Sequence, residues 1–161
     1  MGTGKTSVGK RLAERLAMTF LDMDALIEQR ERRPISRIFT EDGEPFFRAL
    51  ERKAVHELSA RTGLVVATGG GIVLNADNIV DFSRTGLVVC LAATPETILR
   101  RVEHETHRPL LAGGDRLQKI RDLLARRQPL YDAIPDRVET DSLTVEQAVE
   151  AIVQLYESPR P

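Results

Sequence analysis

The sequence predicts an α/β fold of three layers, with helices covering both faces of a central parallel sheet. Three observations predict it. Short apolar runs recur along the chain, and they are continuous rather than alternating, as in Leu64–Ala67 and Leu87–Leu91. That is the pattern of strands covered on both faces. Stretches with helical spacing separate these runs. Each strong run also ends in a polar or glycine-rich stretch, and sheets of this type bind ligands beyond the carboxyl ends of their strands.

The elements follow in order. Val8, Leu12 and Leu16 recur at helical spacing in a first helix. Thr19-Phe20-Leu21 reads as a buried strand ending at Asp22, with a helix over Ala25–Arg30 behind it. Phe47, Leu50, Ala54 and Leu58 carry the apolar face of a longer helix. It starts near Glu44, with Pro45 in its first turn, where a missing N–H costs nothing. Leu64–Ala67 is a second buried strand and ends in Thr68-Gly69-Gly70-Gly71; Leu87–Leu91 is a third, with Cys90 in its core. Thr94-Pro95 opens a helix with a capping side chain followed by a first-turn proline. Asp115–Arg127 is another helix, and Arg137–Thr140 a weak short strand. Thr144-Val145-Glu146-Gln147 has capping-box spacing and opens the last helix, which runs to about Tyr156. Residues 1–156 read as one domain and 157–161 as a mobile tail.

Composition narrows the classes of function. The 161 residues suffice for one domain with a real core. Lys plus Arg total 23 and Asp plus Glu 24, so bulk attraction to nucleic acid or to an anionic membrane has no support. The single cysteine cannot form an internal disulfide. No apolar run approaches the roughly 20 residues of a membrane-spanning helix, and the first residues lack the apolar core of a secretory signal. A reduced, cytoplasmic protein is expected. Most of the cations are Arg, which suits planar anions such as carboxylate and phosphate; a bias in genome base composition gives the same excess.

Gly2-Thr3-Gly4-Lys5-Thr6 matches the end of the phosphate-binding loop G-x-x-x-x-G-K-[ST]. Glycines let backbone N–H groups converge on phosphate oxygens, and the following helix points its positive end at the same anion. In this pattern Lys5 reaches the terminal phosphates and Thr6 offers a hydroxyl to Mg²⁺. A flexible start to an ordinary helix is the alternative. The first glycine of the pattern and the strand that feeds such loops would both precede Met1. We therefore expect a native start about ten residues upstream, one strand's length plus the front of the loop.

Further groups gather at strand ends. Asp22 and Asp24, two apart, leave their strand on one side. One can hold Mg²⁺ through water and the other can orient a hydroxyl for in-line attack; equally, Asp24 can serve as a helix cap. Arg48 and Glu51 lie one turn apart, either as an exposed ion pair or as an Arg aimed into a cleft walled by Phe46 and Phe47. Three consecutive glycines, Gly69 to Gly71, mark a place where a ligand or another part of the chain approaches closely. His56, His104 and His107 have no metal-ligand spacing.

Together these pieces resemble the shikimate kinases, small members of the phosphate-loop, nucleoside-monophosphate-kinase-like family. The resemblance rests on GTGKTS at 2–7, LDMD at 21–24, GEPFFRALE at 43–51, TGGG at 68–71, HRPLL at 107–111 and RQPLY at 127–131. Their order and spacing span nearly the whole chain.

The resemblance implies a phosphate-loop kinase fold, and Glu103–Arg116, with Pro109, Gly113 and Gly114 and little helical pattern at its centre, reads as a mobile lid or else as an ordinary exposed loop. It implies ATP-dependent phosphorylation of the 3-hydroxyl of shikimate, a step of aromatic amino acid biosynthesis, by a monomer. Gly2, Thr3, Gly4, Lys5, Thr6 and Ser7 would cradle the ATP phosphates, with Lys5 on the transferred group and Thr6 on Mg²⁺. Asp22 would assist the metal through water, and Asp24 would contact the acceptor hydroxyl as the base. Arg48 and Arg127 would pair with the substrate carboxylate, and Gly70 would bind the substrate through its backbone. Arg108, on the lid, would reach over the phosphates, and Arg101 would lie near the adenine. The chain departs from many phosphate-loop enzymes at Ala67-Thr68, where an acidic metal partner is common. A kinase for another sugar acid such as gluconate, or a non-catalytic nucleotide-binding module, are the competing readings.

Overall fold

The structure is a computed structural model that describes residues 2–102 and 115–159. The chain divides into two compact units, one of residues 1–12 with 89–161, the other of residues 13–88.

In the unit of residues 13–88, β1 (Thr19–Asp22) pairs in parallel with β2 (Leu64–Ala67), Thr19 opposite Leu64 and Asp22 opposite Ala67. Helices α2 (Met23–Glu31), α3 (Ile35–Glu41) and α4 (Gly43–Ser59) connect them. A 3-10 turn (Ile72–Leu74) and α5 (Ala76–Thr85) follow β2. Ile27, Ile38 and Phe47 form a buried cluster at the meeting of α2, α3 and α4, with the Phe39 and Phe47 rings 4.9 Å apart. The corner beside it is tied by Arg33, which pairs with Glu41 at 2.7 Å, with Glu31 at 3.5 Å and with Asp42.

The other unit is built on β3 (Val89–Ala92), paired in parallel with β4 (Asp136–Glu139), Val89 opposite Asp136. It also contains α6 (Pro95–Val102), α7 (Arg116–Asp132) and α8 (Val145–Glu157). Ile98, Val102 and Ile120 are its buried cluster between α6 and α7. The first helix, α1 (Lys5–Arg15), begins in this unit and ends in the other.

Among the described residues the strands thus form two parallel pairs. Leu64 to Val66 and all of β3, expected to be buried, are half-exposed. Among the described residues β2 and β3 each pair with one strand. Cys90 shares this exposure, and what burial it has pushes its thiol pKa up.

Several boundaries move. The cap of α2 is Asp22, not Asp24; its Oδ1 accepts from the N–H groups of Asp24 at 3.0 Å and Ala25 at 3.3 Å. α7 does not stop at Arg127 but carries Pro129 within it. A helical proline lacks the N–H for one bond and its ring crowds the carbonyl four residues earlier, yet the helix runs on to Asp132. The capping box at Thr144 forms as expected, with Gln147 N–H donating to Thr144 Oγ1 at 3.2 Å and the Thr144 N–H to Gln147 Oε1 at 2.9 Å. α3 and α5 are additional to the elements read from the sequence. No described helix is long and apolar enough to cross a membrane.

Candidate active site

The phosphate-loop residues lie in the unit of residues 1–12 with 89–161. Gly2 and Gly4 have φ of +62° and +92°, the left-handed region that glycine alone enters freely. Gly2 is needed for a second reason, because a Cβ there would lie 2.8 Å from Val102 Cγ1. Helix α1 starts on this loop, with the Val8 N–H donating to the Gly4 carbonyl at 2.9 Å. The first N–H groups of a helix have no carbonyl behind them and favour an anion. Lys5 is half-buried and donates to Thr3 Oγ1 at 3.4 Å, while Thr6 and Ser7 are exposed.

Thr140, just beyond β4 and 2% exposed, ties this loop to α6. Its hydroxyl donates to the Ala92 carbonyl at 2.9 Å, with the Thr3 carbonyl farther off at 3.4 Å. Arg101 donates to the same threonine, to Oγ1 at 2.9 Å and to the carbonyl at 2.6 Å. Beside it, Asp141 accepts from the Thr94 N–H at 2.9 Å and the Thr94 hydroxyl at 2.7 Å. These bonds hold the Asp141 carboxyl below the usual carboxylate range, the Thr94 hydroxyl contributing most. Arg127 lies half-buried on α7 in this unit. Arg108 and most of the expected lid lie outside the described residues, and Arg116 is already helical.

The other constellation belongs to residues 13–88. Asp24 sits in the first turn of α2, placed there by the Asp22 cap. Arg48 and Glu51 project from α4. The Glu51 side chain is 1% exposed, so this is no solvated surface pair. Arg48 Nη1 donates to Glu51 Oε2 at 2.5 Å. On its other side Nε and Nη2 donate to Glu44 Oε1 at 3.1 and 2.8 Å. Burial acts to lower the Arg48 pKa, but the bonds to Glu51 and Glu44 outweigh it, and the guanidinium stays charged. Its carbon also lies 5.2 Å from the centre of the buried Phe47 ring, whereas Phe46 is exposed and lies under Arg33 instead.

The triple glycine faces these groups. A Cβ on Gly69 would stand 3.1 Å from Asp24 Oδ1 and 3.3 Å from Glu51 Oε1. One on Gly71 would collide with the Arg48 guanidinium. Asp24, Glu51, Arg48 and the glycine run therefore surround one spot, with carboxylates on one side and a guanidinium on the other. Gly70 lies between the two bare positions. The sequence reading left out Glu44 and Thr140 and gave Glu51 no place among the site residues. Glu44 and Glu51 were recoverable from their helical spacing to Arg48. Thr140 gave no signal, because its arginine partner is 39 residues away.

Comparisons with known proteins show the family. The family model for shikimate kinase matches residues 1–157. The chain belongs to the shikimate kinase family. It is 44% identical over 153 residues to the shikimate kinase of Pelotomaculum thermopropionicum, covering 95% of this chain and 89% of that one. With the Gloeobacter violaceus shikimate kinase the identity is 48% over 153 residues, covering 94% and 86%. The solved structure of the Acinetobacter baumannii shikimate kinase in complex with shikimate superposes with a TM-score of 0.91 at 40% identity, covering 96% of this chain and 87% of that one. The fold is thus the α/β phosphate-loop kinase type, and the chain is a small-molecule kinase.

Proposed function

We propose that this chain transfers the γ-phosphoryl group of ATP to the 3-hydroxyl of shikimate, giving shikimate 3-phosphate and ADP on the route to aromatic amino acids. The observation that carries the reading is the meeting of Asp24, Glu51 and Arg48 on the bare face of Gly69–Gly71. A small polyhydroxy acid needs a cationic fork for its carboxylate and an oxygen acceptor beside its hydroxyl.

In this reading the backbone of Gly2 to Ser7 holds the ATP phosphates and Lys5 follows the negative charge that grows on the transferred group. Asp24 accepts a hydrogen bond from the acceptor hydroxyl, and takes its proton as the new O–P bond forms and the bond to ADP breaks. Little proton transfer is needed before the loose transition state, so orienting the hydroxyl is the larger part of that role. Arg48 and Arg127 bind the substrate carboxylate and Gly70 binds the substrate through its backbone. Arg101 lies by the adenine and Arg108 is given to the ATP phosphates, where keeping water from the transferring group favours the acid over hydrolysis.

Mg²⁺ fits the residues present. It keeps most of its waters and leans on phosphate oxygens, so it needs few protein ligands. Among the described residues no cluster of three acidic, His or Cys side chains forms a cage. The Thr6 hydroxyl and the Asp22 carboxylate, the latter through water, would hold it. The ion would supply charge neutralisation on the phosphates. We also propose that residues 1–156 act as one kinase domain, with 157–161 as a tail, and that the protein works as a cytoplasmic monomer.

The test is a substrate panel read by ADP release. Shikimate is expected to support turnover and gluconate to fail. Turnover with gluconate alone moves the reading to another sugar acid, and ADP release with neither acid defeats it.

A further inference from the structure

Among the described residues Arg48 makes three hydrogen bonds, all to carboxylates of its own helix. The two partners sit in different surroundings. The Glu51 side chain is 1% exposed and the Glu44 side chain 54%. A buried carboxylate on a half-buried cation is hard to remove without stranding a charge, whereas an exposed pair four residues apart on a helix is weak. Glu51 is therefore a fixed anchor and Glu44 an exchangeable one.

The geometry of the exchangeable contact is that of an imperfect ligand. A guanidinium presents Nε and Nη2 as a planar fork that suits the two oxygens of one carboxylate. Glu44 meets both nitrogens with the single atom Oε1, at 3.1 and 2.8 Å. An incoming carboxylate with an oxygen for each nitrogen fits the fork better. The opposite flank is closed, because Gly71 lies against Nη1 and Nη2 so tightly that a Cβ would collide there. Charge points the same way. With Asp24 counted beside Arg48, Glu44 and Glu51, the cluster carries two net negative charges; swinging Glu44 into solvent leaves one, so its release weakens the repulsion of an incoming acid.

We propose that Glu44 is a resident carboxylate that fills the Nε–Nη2 fork of Arg48 in the empty protein and yields it to the carboxylate of the acid substrate. The inference rests on the reading of Arg48 as the ligand of that carboxylate and adds a built-in competitor to it. Glu44 is a residue that tunes affinity for the acid. It keeps Arg48 oriented and charge-compensated between turnovers, and every acid that binds must first displace it.

The experiment compares Glu44→Gln and Glu44→Ala with the unaltered chain in steady-state kinetics, and measures shikimate binding without nucleotide by calorimetry. Relief of competition from one exposed helical pair is expected to lower the KM and the Kd for shikimate by about threefold in both variants. The change should appear in the acid and not in the KM for ATP. Glu57→Gln removes the same charge from the same helix, at a residue paired with Arg30, and should leave the KM for shikimate where it was. The methyl ester of shikimate, which offers no charge to the fork, should show no gain from Glu44→Gln. An unaltered KM for the acid in the Glu44 variants overturns the proposal, and so does a raised one, which would make Glu44 a support for Arg48 and not a rival. Arg48→Lys tests the underlying reading separately. If it leaves the KM for shikimate unchanged, the carboxylate is bound elsewhere whatever the Glu44 variants do.

Discussion

Gly71 lacks a side chain because the Arg48 guanidinium occupies the place one would take. Three glycines in a row announced a close approach in the sequence; which group approaches was not legible, since Arg48 is 23 residues earlier. Its pairing with Glu51 was legible as spacing but not as burial. Helical spacing says that two side chains can meet, and only the packing of α4 decides that Glu51 is enclosed. The paired aspartates were likewise visible, but the cap went to Asp22 and left Asp24 facing Gly69. These contacts lead to a prediction. Gly71→Ala pushes the guanidinium off its position while leaving the ATP-binding residues untouched. The KM for shikimate should rise about tenfold, as expected when a positioned binding group is displaced by an ångström or so. The KM for ATP should hold. An equal rise for both substrates in initial-rate kinetics would mean that the substitution damages the fold generally.

Elements with strong local signals were read correctly, and those fixed by distant partners were not. The capping box of α8 and the first-turn Pro45 of α4 depend on neighbours within four residues, so sequence suffices. α3 has seven residues and rests on its burial against α4 through Ile38. A segment that short gives too little periodicity to recognise. The α6 terminus combines both cases. Thr94 caps it locally, accepting from the Thr97 N–H at 3.3 Å, and Asp141, 47 residues on, then fixes Thr94. Losing the carboxylate that holds this cap costs about 1 kcal/mol of stability, the net value of a hydrogen bond, which Asp141→Ala should show in urea unfolding at neutral pH. The folded-state pKa of this carboxyl is lowered, so its contribution is present above the ordinary carboxylate range. It disappears as pH falls through the lowered value. The gap between variant and parent should therefore close in acid; a gap independent of pH would show that Asp141 acts by packing alone.

At the scale of the whole molecule, the ordered motifs were legible because phosphoryl transfer sets strict demands on loop glycines, cations and carboxylates. The residues of those motifs divide between the two compact units. Gly2 to Ser7, Arg101 and Arg127 belong to one, and Asp22, Asp24, Arg48 and Gly70 to the other. Arg127 is the informative member. It shares a unit with the phosphate loop, yet the proposed function gives it to the acid. Two substitutions within that unit should therefore have different signatures. Lys5→Met removes a cation whose contact strengthens as charge develops on the transferred group, so kcat should fall by about a hundredfold or more. Arg127→Ala removes one fork for a carboxylate that takes no part in bond making. Its effect should be a raised KM for shikimate with the KM for ATP spared. An ATP-selective defect in Arg127→Ala would hand that arginine to the nucleotide and leave Arg48 as the sole ligand of the carboxylate. An unchanged kcat in Lys5→Met would remove Lys5 from the chemistry.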